Sequence, residues 1–235
     1  MRVTRLFLAP MLTALVGLGG PSVTTARGAF LSDLLAPGAT LASGDFVFSN
    51  FTYQPPTGPP APSAVTVTPY TDSSGFNGIQ IGGGFQQTGP GTADVRLSYT
   101  VTDTRGARVT EVHMDGNPFL TPMNANGSAI VTESVFAPGI ATPVAAGQIN
   151  STSPPGSQST TLTLNPPGPY ATLSVTKDVL LTVSPRSGAT APDVASVSFI
   201  DQTFSVVPEP ASVVMMGLGL GLCGLSLRRR TAVTA

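Results

Sequence analysis

The 235-residue chain has no tryptophan, one histidine and one cysteine. One histidine and one cysteine exclude a Cys/His zinc site by count, because such sites need three or four of those ligands. A lone cysteine also excludes a disulfide within the chain, so an exported fold must be held by its core or by ions. The missing tryptophan removes the broadest platform for stacking a sugar ring. Charge is scarce as well: charged residues make up 10% of the chain, and Lys177 is the sole lysine. Between residues 29 and 207, five basic residues (Arg96, Arg105, Arg108, Lys177, Arg186) stand against eleven acidic ones, a net charge of minus six. A mildly acidic domain without a basic patch argues against nucleic acid as a partner.

The remaining arginines lie mostly at the two ends. Arg2 and Arg5 precede an apolar run from Leu6 to Leu12 that continues through Leu15, Val16 and Leu18 and gives way to small residues. That order of basic, apolar and small segments predicts a signal peptide over residues 1–28, cut between residues 26 and 29. A permanent anchor needs about 20 apolar residues, and Pro10, Gly19, Gly20 and Pro21 interrupt this run.

At the other end, Val207-Pro208-Glu209-Pro210-Ala211-Ser212 leads into an uncharged stretch over residues 211–227 and then Arg228, Arg229 and Arg230. The prolines on either side of Glu209 hold that tripeptide extended. As a helix the stretch is about 25 Å long, slightly short of a hydrocarbon core of ~30 Å, and it crosses by local thinning or snorkelling of the arginines. The three arginines then act as a cytoplasmic stop, placing the rest of the chain outside.

These three ordered parts resemble the PEP-CTERM sorting domain, whose substrates are handled by membrane proteases called exosortases. The residues that carry the resemblance are Pro208, Glu209, Pro210, the glycines Gly217, Gly219, Gly221 and Gly224, and the arginine cluster, over about residues 206–235. It implies signal peptidase and an exosortase-type membrane protease as partners, and transient residence in the inner membrane. It also implies cleavage near the motif and delivery to the cell surface or an extracellular polysaccharide matrix. It implies no activity for the cargo, since such tails ride on unrelated proteins, some of them adhesive or ice-binding.

The cargo, residues 29–206, reads as one all-β domain. In Asp94 to Thr102, the residues Val95, Leu97, Tyr99 and Val101 fall on one face and polar residues on the other, the period-two pattern of a strand. Weaker alternation marks Asp45–Tyr53, Ala64–Thr68, Gly78–Gln86, Arg108–Met114, Ala129–Phe136, Thr160–Leu164, Ala171–Thr176, Val179–Ser184 and Val194–Val206. Turn clusters separate these runs, among them Asp103-Thr104-Arg105-Gly106 and Asp115-Gly116-Asn117-Pro118. The expectation is an antiparallel β-sandwich, jelly-roll or immunoglobulin-like.

No catalytic group stands out. His113 reads as an exposed strand residue, and no nucleophile elbow precedes a helix. Asp103, Glu111, Asp115 and Glu133 could supply a carboxylate pair for glycoside hydrolysis, but read more simply as surface carboxylates. No cofactor is expected. Calcium is the one cation that suits the turn chemistry, and its weak candidate ligands are Asp72 and Asn77 in one loop and Asp115 and Asn117 in another. The first functional expectation is a non-enzymatic structural or adhesive surface protein. The alternative is a carbohydrate-binding or carbohydrate-active sandwich, which would gather carboxylates and Tyr53, Tyr70, Tyr99 and Tyr170 on one face. A third reading, ice binding, needs the Thr66/Thr68, Thr100/Thr102 and Thr161/Thr163 pairs in one flat plane.

Overall fold

Inward-facing residues recur at every second position of the long strands, and closing those apolar faces on each other produces two layers. The computed structural model describes residues 27–54, 60–106, 108–122, 124–151, 156–166, 168–188 and 191–207. Residues 1–26 of the expected signal peptide, the motif at 208–210, the span 211–227 and the arginine cluster lie outside them. Among the described residues no helix is long and apolar enough to cross a membrane.

The strands among these residues are β1 (Ala29–Phe30), β2 (Thr40–Ser43), β3 (Phe46–Gln54), β4 (Thr66–Thr71), β5 (Asn77–Thr88) and β6 (Gly91–Asp103). They continue as β7 (Val109–Thr121), β8 (Gly127–Phe136), β9 (Ala145–Asn150), β10 (Gln158–Thr163), β11 (Thr172–Val183) and β12 (Val194–Val206). One sheet, here sheet A, has the order β1-β4-β5-β12-β7-β10, and sheet B has the order β2-β3-β6-β11-β8-β9. Neighbouring strands are antiparallel throughout. From β5 onward, β5-β12-β7-β10 face β6-β11-β8-β9, the double Greek key of a jelly roll. Of the two sandwich types expected, the strand order selects this one.

The core lies between the sheets. Phe204 of β12 packs on Phe46 and Phe48 of β3 at centroid distances of 5.3 and 6.0 Å, and Tyr99 of β6 lies 5.9 Å from Phe48 and 5.5 Å from Phe51. Such tilted aromatic pairs add specific geometry to the area they bury. At one end, Arg108 clamps the fully buried Asp103 through two hydrogen bonds of 2.8 and 2.6 Å and reaches Asp45 at 3.3 Å. This fork ties the β6–β7 turn to the β2–β3 turn.

Two sequence expectations need correction, and three short strands went unread. Asp115-Gly116-Asn117-Pro118 is not a turn but the middle of β7, which tolerates its proline because β12 bulges opposite, between Val197 and Ile200. Asn117 Oδ1 accepts the amides of Ser198 (3.0 Å) and Phe199 (3.1 Å), satisfying the bulged backbone. The runs Ala171–Thr176 and Val179–Ser184 form one strand, β11, in which Leu173, Val175, Lys177, Val179, Leu181 and Val183 all point inward. Lysine at an inward position broke the apolar pattern without breaking the strand. The short strands β1, β2 and β9 carry too few apolar residues to show alternation.

Candidate functional site

The strand register assembles a polar surface on the outer face of sheet A. Thr68, Gln80, Asp201, Asp115 and Ser159 stand opposite one another across β4, β5, β12, β7 and β10. One row along, Tyr70, Gly78, Thr203, His113 and Thr161 do the same. Directly opposed residues share a face, with Cβ atoms ~5 Å apart. Gly78 is required in that row, because a Cβ there would overlap the carbonyl of Gln202. The loop after β4 folds over this surface: Asp72 Oδ1 accepts the amides of Ser74 (2.8 Å) and Phe76 (2.9 Å), and its Oδ2 accepts the Thr203 hydroxyl at 3.0 Å. The result is a cleft of about 480 Å³ lined by Tyr70, Asp72, Phe76, His113, Asp115 and Thr161, with Ser159 at its edge.

His113 is held on three sides. Its Nε2 lies 2.6 Å from Ser205 Oγ and its Nδ1 3.1 Å from Thr161 Oγ1, and Phe76 stacks on the ring at 5.2 Å. Asp72 and Asp115 line the cleft beside it. Burial raises the ionisation of Tyr70 above the usual phenol range, and the charges of Asp201, Asp115 and Asp72 raise it further. Burial also lifts the Asp201 carboxyl above the usual range; Asp115 adds to that, while the nearby Gln80 and Tyr70 side chains oppose it. Asp201 is 5% exposed, and its Oδ1 has no hydrogen-bond partner among the described residues. Farther along β7 the same face becomes apolar, where Asn117, Phe119 and Phe199 line a second hollow.

Directly beneath the cleft lies a buried polar cluster. Lys177 on β11 is opposite Glu133 on β8, with Nζ 2.6 Å from Glu133 Oε2 and both side chains fully buried. Lys177 Nζ also donates to Oε1 of Gln202, which reaches in from β12 of the facing sheet. Gln202 Nε2 in turn donates to the His113 carbonyl at 2.8 Å. Burial pulls the Lys177 amine below its usual range, against the pull of Glu133 and Asp201. Tyr99 is pushed well above the phenol range by burial and then by Glu133.

The comparisons with known proteins divide between the tail and the cargo. The model for the PEP-CTERM protein-sorting motif matches residues 206–230. The chain carries a PEP-CTERM sorting tag. The tag begins at the last residue of β12 and supports an exported protein. No curated protein matches the chain in sequence. Among solved structures, the cargo is similar to the module TmCBM61 solved with beta-1,4-galactotriose, at TM-score 0.34 and 9% identity over 67% of this chain and 90% of that one. It is also similar to a carbohydrate-binding module of the β-sandwich superfamily (TM-score 0.30, 15% identity, 79% and 64%). A third is the mannan-recognising module TmCBM27 (TM-score 0.27, 8% identity, 67% and 99%). At these scores the likeness carries no argument about ligand.

In this PEP-CTERM-tagged chain the sites considered from sequence are redistributed. The two calcium loops meet, for Asp72 and Asp115 line the same cleft. Asn117 is committed to the β12 bulge, however, and Asn77 Oδ1 accepts the Thr71 hydroxyl at 2.9 Å. Among the described residues no group of three or more His, Cys, Asp or Glu is placed to hold a metal. The four carboxylates weighed for hydrolysis do not converge: Asp103 pairs with Arg108 and Glu133 with Lys177, both buried, so neither is a surface group. His113 is not exposed but locked. Of the tyrosines only Tyr70 meets the carboxylates; Tyr53 and Tyr170 donate to the carbonyls of Pro60 and Pro166, and Tyr99 is in the core. The threonine pairs do not share a plane, since Thr100 and Thr102 lie on sheet B and the other pairs on sheet A. Asp201, buried beneath the cleft opposite Asp115, was missed because only the register reveals its neighbours.

Proposed function

We propose that this is an exported surface or extracellular-matrix protein that its tag delivers to an exosortase and that acts by binding, with the outer cleft of sheet A taking a hydroxyl-rich ligand such as a matrix polysaccharide. One observation carries the reading: Asp115 and Asp201 are directly opposed on the adjacent strands β7 and β12 of sheet A, and Asp115 lines the cleft with Tyr70 and Asp72. Like charges placed opposite each other destabilise a sheet, so the fold alone gives no reason for the pair. Ionised carboxylates only accept hydrogen bonds, so the cleft suits a donor-rich, uncharged or cationic ligand and repels polyanions. Sugars present hydroxyl edges beside apolar C–H faces, and Phe119 and Phe199 line an apolar hollow farther along the same face.

Binding is favoured over hydrolysis by the burial of Asp201. A general acid must reach the glycosidic oxygen, and Asp201 lies below the cleft surface. The reading is tested by screening the purified exported protein on an array of bacterial and plant polysaccharides, with Asp115→Ala alongside. Retention of a neutral or amino-sugar polymer by wild type and its loss in the variant is the expected result. Equal retention by both proteins would remove the cleft from the account.

A further inference from the structure

The sole lysine of the chain is buried where a leucine would fit the strand pattern, and a buried ion pair is weak support for stability: replacing one with apolar residues is often neutral or stabilising. Its surroundings suit a different use. The amine meets the carbonyl side of a primary amide, Gln202 Oε1, and a carboxylate, Glu133 Oε2, while the far side of that amide is fixed by the bond from Nε2 to the His113 carbonyl. The two reacting groups come from different sheets and are held in contact without solvent, the condition under which proximity contributes most to a reaction between bound groups.

We propose that Lys177 and Gln202 join in an intramolecular isopeptide bond after the sandwich has folded, with Glu133 carrying the proton. The Nζ lone pair attacks Gln202 Cδ, and the Nζ–Cδ bond forms. A proton passes from Nζ to Glu133 Oε2, and Glu133 returns it to Nε2 on the same tetrahedral carbon. The Cδ–Nε2 bond then breaks and ammonia leaves. No oxidant or co-reactant is needed, and exclusion of water protects the product from hydrolysis. Burial favours the neutral, nucleophilic form of the lysine. Glu133 Oε1 is buried without a hydrogen-bond partner among the described residues, so the carboxyl is not immobilised by a second bond. The product is a neutral amide in place of a buried amine, and it ties β11 of sheet B to β12 of sheet A in a chain that has no disulfide.

Mass spectrometry of the exported protein and of the full chain decides the matter. The expected species is lighter than its sequence requires by about 17 Da, the ammonia displaced by the lysine nucleophile. In the tryptic map, cleavage after Lys177 is lost, and the peptide 109–186 is joined to the one that begins at Ser187. Glu133→Gln and Lys177→Arg return to full mass. Full mass for wild type with normal cleavage after Lys177 would overturn the proposal, and that measurement does not depend on whether either variant folds.

Discussion

Asp115 of β7 and Asp201 of β12 face each other directly on the outer surface of sheet A, so two carboxylates are neighbours in one cross-strand row. Burial and this neighbour lift Asp201 above the usual carboxylate range. A group whose folded value exceeds its unfolded value of about 4 contributes stability that is complete below the unfolded value and lost as pH rises through the folded one. Asp201→Asn is therefore expected to be more stable than wild type near neutral pH, with the advantage vanishing under acid. Thermal melts across a pH series check this; a variant less stable than wild type at neutral pH would contradict it.

The buried cluster responds in the opposite way. Before Lys177 and Gln202 are joined, Glu133→Ala leaves the Lys177 amine in the core with Gln202 alone, and removing one partner of a buried pair costs about 3 to 5 kcal/mol. Urea denaturation should show the midpoint falling accordingly, and a loss below about 1 kcal/mol would mean that solvent reaches the amine.

Gly78 couples the cleft to the fold. Its hydrogen lies against the Gln202 carbonyl, so Gly78→Ala must push β5 away from β12. Overpacking of this kind costs about 1 to 3 kcal/mol, and polysaccharide retention should fall with it, because Tyr70 and Thr203 flank that position. Unchanged stability and binding would show that the strands slide apart freely.

Asn117→Ala strips the acceptor from two backbone amides in the β12 bulge. The expected cost is about 1 to 3 kcal/mol, read by chemical denaturation. Hydrogen exchange should rise at Ser198 and Phe199 and stay unchanged in β11; a protected bulge in the variant would contradict the assignment.

The layers were legible wherever alternation was uninterrupted. Val95, Leu97, Tyr99 and Val101 are all inward, as their spacing predicts. Reading failed where tertiary context set the residue type. Lys177 split β11 on paper because its partners, Glu133 and Gln202, come from elsewhere in the chain. Gly116 and Pro118 signalled a turn because the bulge that accommodates them belongs to another strand. The cleft was half legible: Asp72 and Asp115 were singled out by turn chemistry, but Asp201 and Tyr70 join them only through a register spanning four strands. The tail needed no tertiary structure, since a motif, an apolar span and an arginine stop follow one another along the chain.

Intact-mass analysis of the protein recovered from cells and from the extracellular matrix tests export and sorting most directly, with Glu209→Ala as the comparison. The predicted matrix species has lost about residues 1–28 and the tail beyond the motif, while the variant stays uncleaved in the membrane fraction. A wild-type protein that retains residues 211–227 wherever it is found would contradict sorting and make it a tail-anchored surface protein.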